Sequence, residues 1–191
     1  RAIFGPAKIM FTIRNQLSII PSLYLQTNDQ RHSSFNNWVD LNRKYLETHF
    51  DYFAHVEAFA SCFGNENIAI FPYEELVADP QEYARKICRF AGVSEDIGSK
   101  LINLPKQNLR MTNRELAFLR IKGKICPNYS LSAHLPKSVR LAGIKLIRRG
   151  KPAKLALSTS DTEHFYQHFC SGNQLLLARF GLNLKKLGYS I

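Results

Sequence analysis

The chain has no apolar run near the roughly 20 residues that a membrane-crossing helix needs, and its first residues lack the basic, apolar and small-residue order of a secretion signal. A soluble, cytoplasmic protein is the expectation. Cysteine is scarce: Cys62, Cys88, Cys126 and Cys170 lie 26, 38 and 44 residues apart, without a CxxC pair or a close histidine. That spacing argues against a zinc site or a disulfide framework and for buried or free thiols in a reducing compartment. Repeats and low-complexity tracts are also missing. Acidic residues are nearly absent from one segment: residues 101–154 hold 13 Lys/Arg against Glu115 alone, whereas residues 1–100 hold 10 basic and 12 acidic side chains. The net charge of +11 is therefore concentrated in that segment, which calls for an anionic partner: a nucleotide phosphate, an acidic glycan, a nucleic acid or a membrane surface.

What is present is enough apolar material, 45% of 191 residues, to bury the core of one domain spanning residues 1–191. Ile9, Met10, Phe11 and Ile13 form a nearly continuous apolar run, which predicts a strand covered on both faces in a parallel sheet. A helix follows it, starting near Leu17 or Ser18 because Pro21 tolerates only an early position. The three-and-four spacing of Trp38, Leu41, Tyr45, Leu46, Phe50, Phe53, Val56 and Phe59 predicts one or two amphipathic helices up to Gly64. "NIAIFPY" reads as a second strand. Asp79 and Pro80 open a helix that Gly92 stops. Short helices are expected around Arg114–Ile121 and Ser138–Arg149, with "KGKICPNYSLSAHLPKS" as a loop between them. Ser160 and Glu163 have the spacing of a capping box for a last helix running to Gly181. Strand, helices, strand, helix is α/β order.

The residue that asks for an explanation is Arg14, a guanidinium where the first apolar strand stops, with Ser22 eight residues on. Ligands of open α/β sheets sit beyond the carboxyl ends of the strands. There the next helix turns its free N–H groups and positive dipole end outward. Arginine offers a planar fork of donors matched to phosphate oxygens, and a helical serine can add a hydroxyl. The plain alternative is an arginine that caps or salt-bridges a strand end.

With Arg14, Asn15 and Ser22 joined by Tyr73, Glu74, Leu76, Pro80, Phe90 and Gly92, and by the tail "NQLLLARFGLNLKKLGY", the chain resembles the sulfotransferase family that uses 3′-phosphoadenosine 5′-phosphosulfate. The family pattern is Arg-Asn-Pro or Arg-Asp-Pro at a strand end, a serine eight residues later, and Tyr-Glu-x-Leu before a Pro-started helix ending in Phe-x-Gly. Gln16 departs from the usual proline.

The resemblance implies a P-loop-NTPase-like three-layer fold, a parallel sheet flanked by helices, with that nucleotide as co-substrate. It implies that Arg14 and Ser22 hold its 3′-phosphate, that "KGK", Lys122 to Lys124, closes over the phosphates from a lid-like basic segment 101–154, and that no metal is required. It also implies that an N-terminal strand, its 5′-phosphosulfate loop and the catalytic base, a His or Glu, come from upstream of Arg1. No base is assigned here. Lys106 and Arg110 are further phosphate candidates, and His32 and Trp38 lie where an acceptor could approach. Trp38 equally fits the core stripe. For Tyr73, Glu74 and Leu76 a structural reading stands beside the functional one, with Tyr and Leu in the core and Glu bonded to nearby backbone. The implied activity is sulfuryl transfer to a hydroxyl or amine, with an acidic carbohydrate as the acceptor the basic segment favours. The alternatives are a basic binding module for an anionic surface or, less expected, nucleic acid, and a relative that has kept the fold without the activity.

Overall fold

The structure, a computed structural model, describes residues 7–27, 33–96, 98, 111–125 and 136–191. The chain divides into two compact units, one of Arg1–Ile19, Lys44–Pro105 and Thr159–Ile191 and the other of Ile20–Arg43 and Lys106–Ser158.

The first unit is built on two parallel strands, β1 (Ile9–Ile13) and β2 (Ile68–Pro72), paired with Ile9 opposite Ile68 and Ile13 opposite Pro72. Parallel neighbours need a long crossover, and three helices intervene in sequence: α1 (Gln16–Gln26), α2 (Phe35–His49) and α3 (Tyr52–Phe63). Alternation sends Ile13, Ile68 and Ile70 to one face. There they form a buried cluster with Val56 and Ala60 of α3, Leu176 of α8 (Thr159–Phe180), and Leu184 and Tyr189 of the C-terminal segment. On the opposite face Phe71 meets the rings of Tyr83 and Phe90, both of α5 (Pro80–Ala91), at 5.9 and 6.2 Å. Strand β1 departs from the expectation of cover on both faces, since Met10 is 50% exposed. Among the described residues β1 pairs only with β2, and α5 packs on β2, reaching β1 through the 3.4 Å contact of the Thr12 and Tyr83 hydroxyls.

The aromatic run from Phe35 is two helices. Asp51 restarts the chain by accepting the Ala54 N–H at 3.0 Å as an N-cap. Leu41 and Tyr45 of α2 and Phe59 of α3 are exposed, while Trp38, Leu46, Phe50 and Val56 are buried. Helix α5 begins as expected, with the Asp79 side chain accepting from the Gln81 and Glu82 N–H groups. It ends on Gly92 at φ 78°, and the nearest atom to a Cβ there would be Lys8 Nζ at 3.9 Å. Gly92→Ala therefore costs backbone strain alone, about 1 kcal/mol, and lowers the melting temperature by about 2–4 °C. A six-residue helix, α4 (Tyr73–Ala78), was not foreseen between β2 and α5.

The second unit holds α6 (Asn113–Ile125) and α7 (Lys137–Ile147), which pack together. Lys122, Gly123 and Lys124 lie in the last turn of α6, not in a loop. One glycine costs a helix only about 1 kcal/mol, and its neighbours are good helix formers. The true capping box of α6 is Thr112 and Glu115: the Thr112 N–H donates to Glu115 Oε2 at 3.0 Å, and the Glu115 N–H donates to Thr112 Oγ1 at 3.2 Å. Glu115 also pairs with Arg148 at 3.1 Å, so the one acid of the basic segment is spent on structure. Trp38 belongs to a buried aromatic group with Tyr24 and Phe35, as the core stripe required. The last helix opens at Thr159, which places Ser160 inside its first turn and not before it. Cys62, Cys88 and Cys170 are free thiols. No helix among the described residues is long and apolar enough to cross a membrane.

Candidate functional site at the carboxyl edge of the strand pair

Because the strands are parallel and Ile13 faces Pro72, the two residues that follow each strand meet at one edge: Arg14 and Asn15 after β1, Tyr73 and Glu74 after β2. The Arg14 guanidinium lies over the Tyr73 ring, 5.1 Å from its centroid, and Nε donates to Ser18 Oγ at 3.3 Å. Asn15 caps α1, its Oδ1 accepting the Ser18 N–H at 3.2 Å while its C=O accepts from Ser18 and Ile19. The arginine thus stands beside the positive end of an 11-residue helix.

The backbone at this edge is held from several sides. The Tyr52 hydroxyl donates to the Arg14 C=O at 2.8 Å and accepts the Arg14 N–H at 3.3 Å. Glu74 uses both oxygens: Oε1 accepts the Asn15 N–H at 2.9 Å, and Oε2 accepts the Tyr189 hydroxyl at 2.8 Å. Asn15 Nδ2 donates to the Gly188 C=O at 2.5 Å. Gln16, where the family pattern has proline, is buried and exchanges amide hydrogen bonds with Asn173 of α8 at 2.9 and 3.3 Å. Asn173 also donates to the Ser190 C=O at 3.0 Å.

Burial pushes the Tyr52 phenol up to about 12 from 10.0, with the nearby Glu74 carboxylate adding to the rise against the hydrogen bond from Arg14. Tyr189 is raised in the same way, by burial and by Glu74. An unfolded tyrosine ionises near 10, so the Tyr52 contribution to stability is full below that pH and is lost as pH rises toward 12. The predicted loss is up to about 1.4 kcal/mol per pH unit from this group. Urea unfolding from pH 9 to 11 should show a fall that includes this share, and Tyr52→Phe should reduce it while leaving the share of Tyr189.

Of the sequence-predicted residues, Arg14 directly follows β1, two residues before α1 begins. Ser22 lies on α1, one turn beyond Ser18. Lys122 and Lys124 lie on α6. His32, Lys106, Arg110 and Cys126 fall outside the described residues. Tyr73 is 37% exposed, a platform for Arg14 and not a core residue. Glu74 does bond backbone, as the structural reading had it. Its second partner, Tyr189, was not anticipated, although the "LGY" tail was noticed. A cleft of about 280 Å³ opens beside Gln16, between Phe50–Phe53 and the His168–Leu175 stretch of α8. Among the described residues no group of His, Cys, Asp and Glu gathers to hold a metal ion.

Residues 1–96, which include Arg14, Ser22, Tyr73 and Glu74, match the model of the Sulfotransferase family. The 3-beta-hydroxysteroid sulfotransferase of Cavia porcellus is 26% identical over 148 residues, covering 75% of this chain and 47% of its own. Sulfotransferase 2A2 of Rattus norvegicus is 24% identical over 148 residues, with coverages of 75% and 48%. The chain spans about half the length of these curated relatives. A solved sulfotransferase structure from Alicyclobacillus acidocaldarius is similar at a TM-score of 0.44 and 25% identity, over 69% of this chain and 59% of that one.

Proposed function

This chain belongs to the sulfotransferase family, and on that premise we propose that it binds the 3′-phosphate end of 3′-phosphoadenosine 5′-phosphosulfate at the carboxyl edge of β1 and β2. The parallel pair is read as part of a P-loop-NTPase-like three-layer sheet. The observation that carries the proposal is the placement of Arg14, at a strand end, at the head of α1 and over the Tyr73 ring. The Tyr73 ring and the bond to Ser18 hold the guanidinium at this edge, and a held guanidinium suits a fork of donors to two phosphate oxygens. For Ser22, Lys122 and Lys124 the nucleotide role rests on the resemblance.

The reaction served is transfer of a sulfuryl group. A bond from an acceptor hydroxyl or amine to sulfur forms as the bond from sulfur to the phosphate oxygen breaks, leaving adenosine 3′,5′-bisphosphate and releasing the acceptor proton. Holding the nucleotide and its charge in place is the part this chain's residues would supply. An acidic carbohydrate is the acceptor class that the basic segment 101–154 favours, and its binding should weaken steeply with salt. The test is thermal: adenosine 3′,5′-bisphosphate at about 100 times its Kd should stabilise the chain by about 2.7 kcal/mol, or roughly 5–10 °C. No shift at millimolar nucleotide rejects the proposal.

A second reading has its own observation. Helix α7 exposes Val139, Leu141, Ile144 and Leu146 beside the exposed Lys145, and Arg148 and Arg149 follow at its end. Such a helix suits an anionic lipid surface. Binding to phosphatidylserine vesicles with no response to the nucleotide would favour it over the enzymatic reading.

A further inference from the structure

Resting on the nucleotide site proposed above, we infer that Glu74 and Tyr189 are positioning residues, a clamp through which the C-terminal segment sets the geometry of Arg14. The N–H that Glu74 accepts belongs to Asn15, so the carboxylate fixes the peptide plane immediately after Arg14. Tyr52 fixes the N–H and C=O of Arg14 itself. Glu74 follows Tyr73, so one turn after β2 supplies both a backbone tie to the β1–α1 turn and the ring under the guanidinium. The Tyr189 hydroxyl holds the other carboxylate oxygen, and the tail is itself pinned by Asn15 to Gly188 and by Asn173 to Ser190. A carboxylate with both oxygens engaged cannot swing toward the arginine without giving up two charge-assisted bonds.

The clamp and simple electrostatics predict opposite signs. A carboxylate beside an anion site opposes anion binding, so if charge decided, Glu74→Ala would bind nucleotide more tightly. If geometry decides, Glu74→Ala binds more weakly although a negative charge has gone. Glu74→Gln should then restore binding, because its carbonyl can accept from Asn15 and its amide can donate to the Tyr189 oxygen.

The experiment is calorimetric titration of adenosine 3′,5′-bisphosphate into the whole chain, with the melting temperature of each free variant measured alongside. The expected results are about tenfold weaker binding for Glu74→Ala, binding within about threefold of wild type for Glu74→Gln, and a several-fold loss for Tyr189→Phe. Tyr189→Phe, which removes one oxygen, keeps the test open if Glu74→Ala does not fold. Three results overturn the clamp: Glu74→Ala binding as tightly as wild type or tighter, Glu74→Gln as weak as Glu74→Ala, or Tyr189→Phe lowering only the melting temperature. Each of these leaves the nucleotide site standing. A wild type that does not bind the nucleotide removes the site and the clamp together.

Discussion

Arg14→Ala should abolish the stabilisation that adenosine 3′,5′-bisphosphate gives the wild type, with a loss in affinity of about 100-fold, or near 3 kcal/mol. The size follows from chemistry that a substitute cannot supply. Two parallel N–H···O bonds to one phosphate would each be charge-assisted, and the guanidinium that would make them is already held by the Tyr73 ring and Ser18. Arg14→Lys separates charge from shape. It keeps the positive charge but not the planar fork, and should recover only part of the loss. The free Arg14→Ala chain should melt close to wild type, because the arginine is partly exposed and its backbone bonds to Tyr52 remain.

Asn173→Leu should be the most damaging of the stability variants, at about 2–4 kcal/mol, measured by urea unfolding. Leucine keeps the branching and heavy-atom count of asparagine, is somewhat larger, and makes none of its bonds. The buried Gln16 side chain would lose both exchanges with Asn173, and the Ser190 carbonyl would lose its donor. The cost comes chiefly from leaving polar groups buried and unpaired, so removing the second partner should return part of it. The double variant Gln16→Leu with Asn173→Leu should therefore be more stable than the sum of the single losses predicts. Simple additivity would show that the two amides do not act as a pair.

The parts of this structure legible in the sequence are those whose cause is local. An apolar run followed by an arginine, an Asp-Pro helix start and glycines that end α3 and α5 each carry their physics within a few residues, and the structure has them in place. Capping boxes are local but degenerate. Ser160 and Glu163 have the spacing and lie inside a helix, while Thr112 and Glu115 have it and use it. What was not legible is what the fold brings together from afar. Glu74 meets Tyr189 across 115 positions, and Gln16 meets Asn173 across 157. No periodicity announces such partners, and a glutamine in the place of a family proline reads as a lapse until its amide is seen to have a mate. Tyr73 was misplaced for a related reason. An aromatic after a buried strand suggests core, but here it opens α4 and lies under a cation.

The central claim is that the carboxyl edge of β1 and β2 grips a 3′-phosphate through Arg14, and one comparison tests it without an acceptor or a completed reaction. Titrate wild type and Arg14→Ala with adenosine 3′,5′-bisphosphate and with adenosine 5′-monophosphate, which differ only in that phosphate. Wild type should prefer the bisphosphate by about 100-fold, and Arg14→Ala should lose nearly all of that preference. Equal affinity of wild type for the two nucleotides, or a preference that survives in Arg14→Ala, would contradict it.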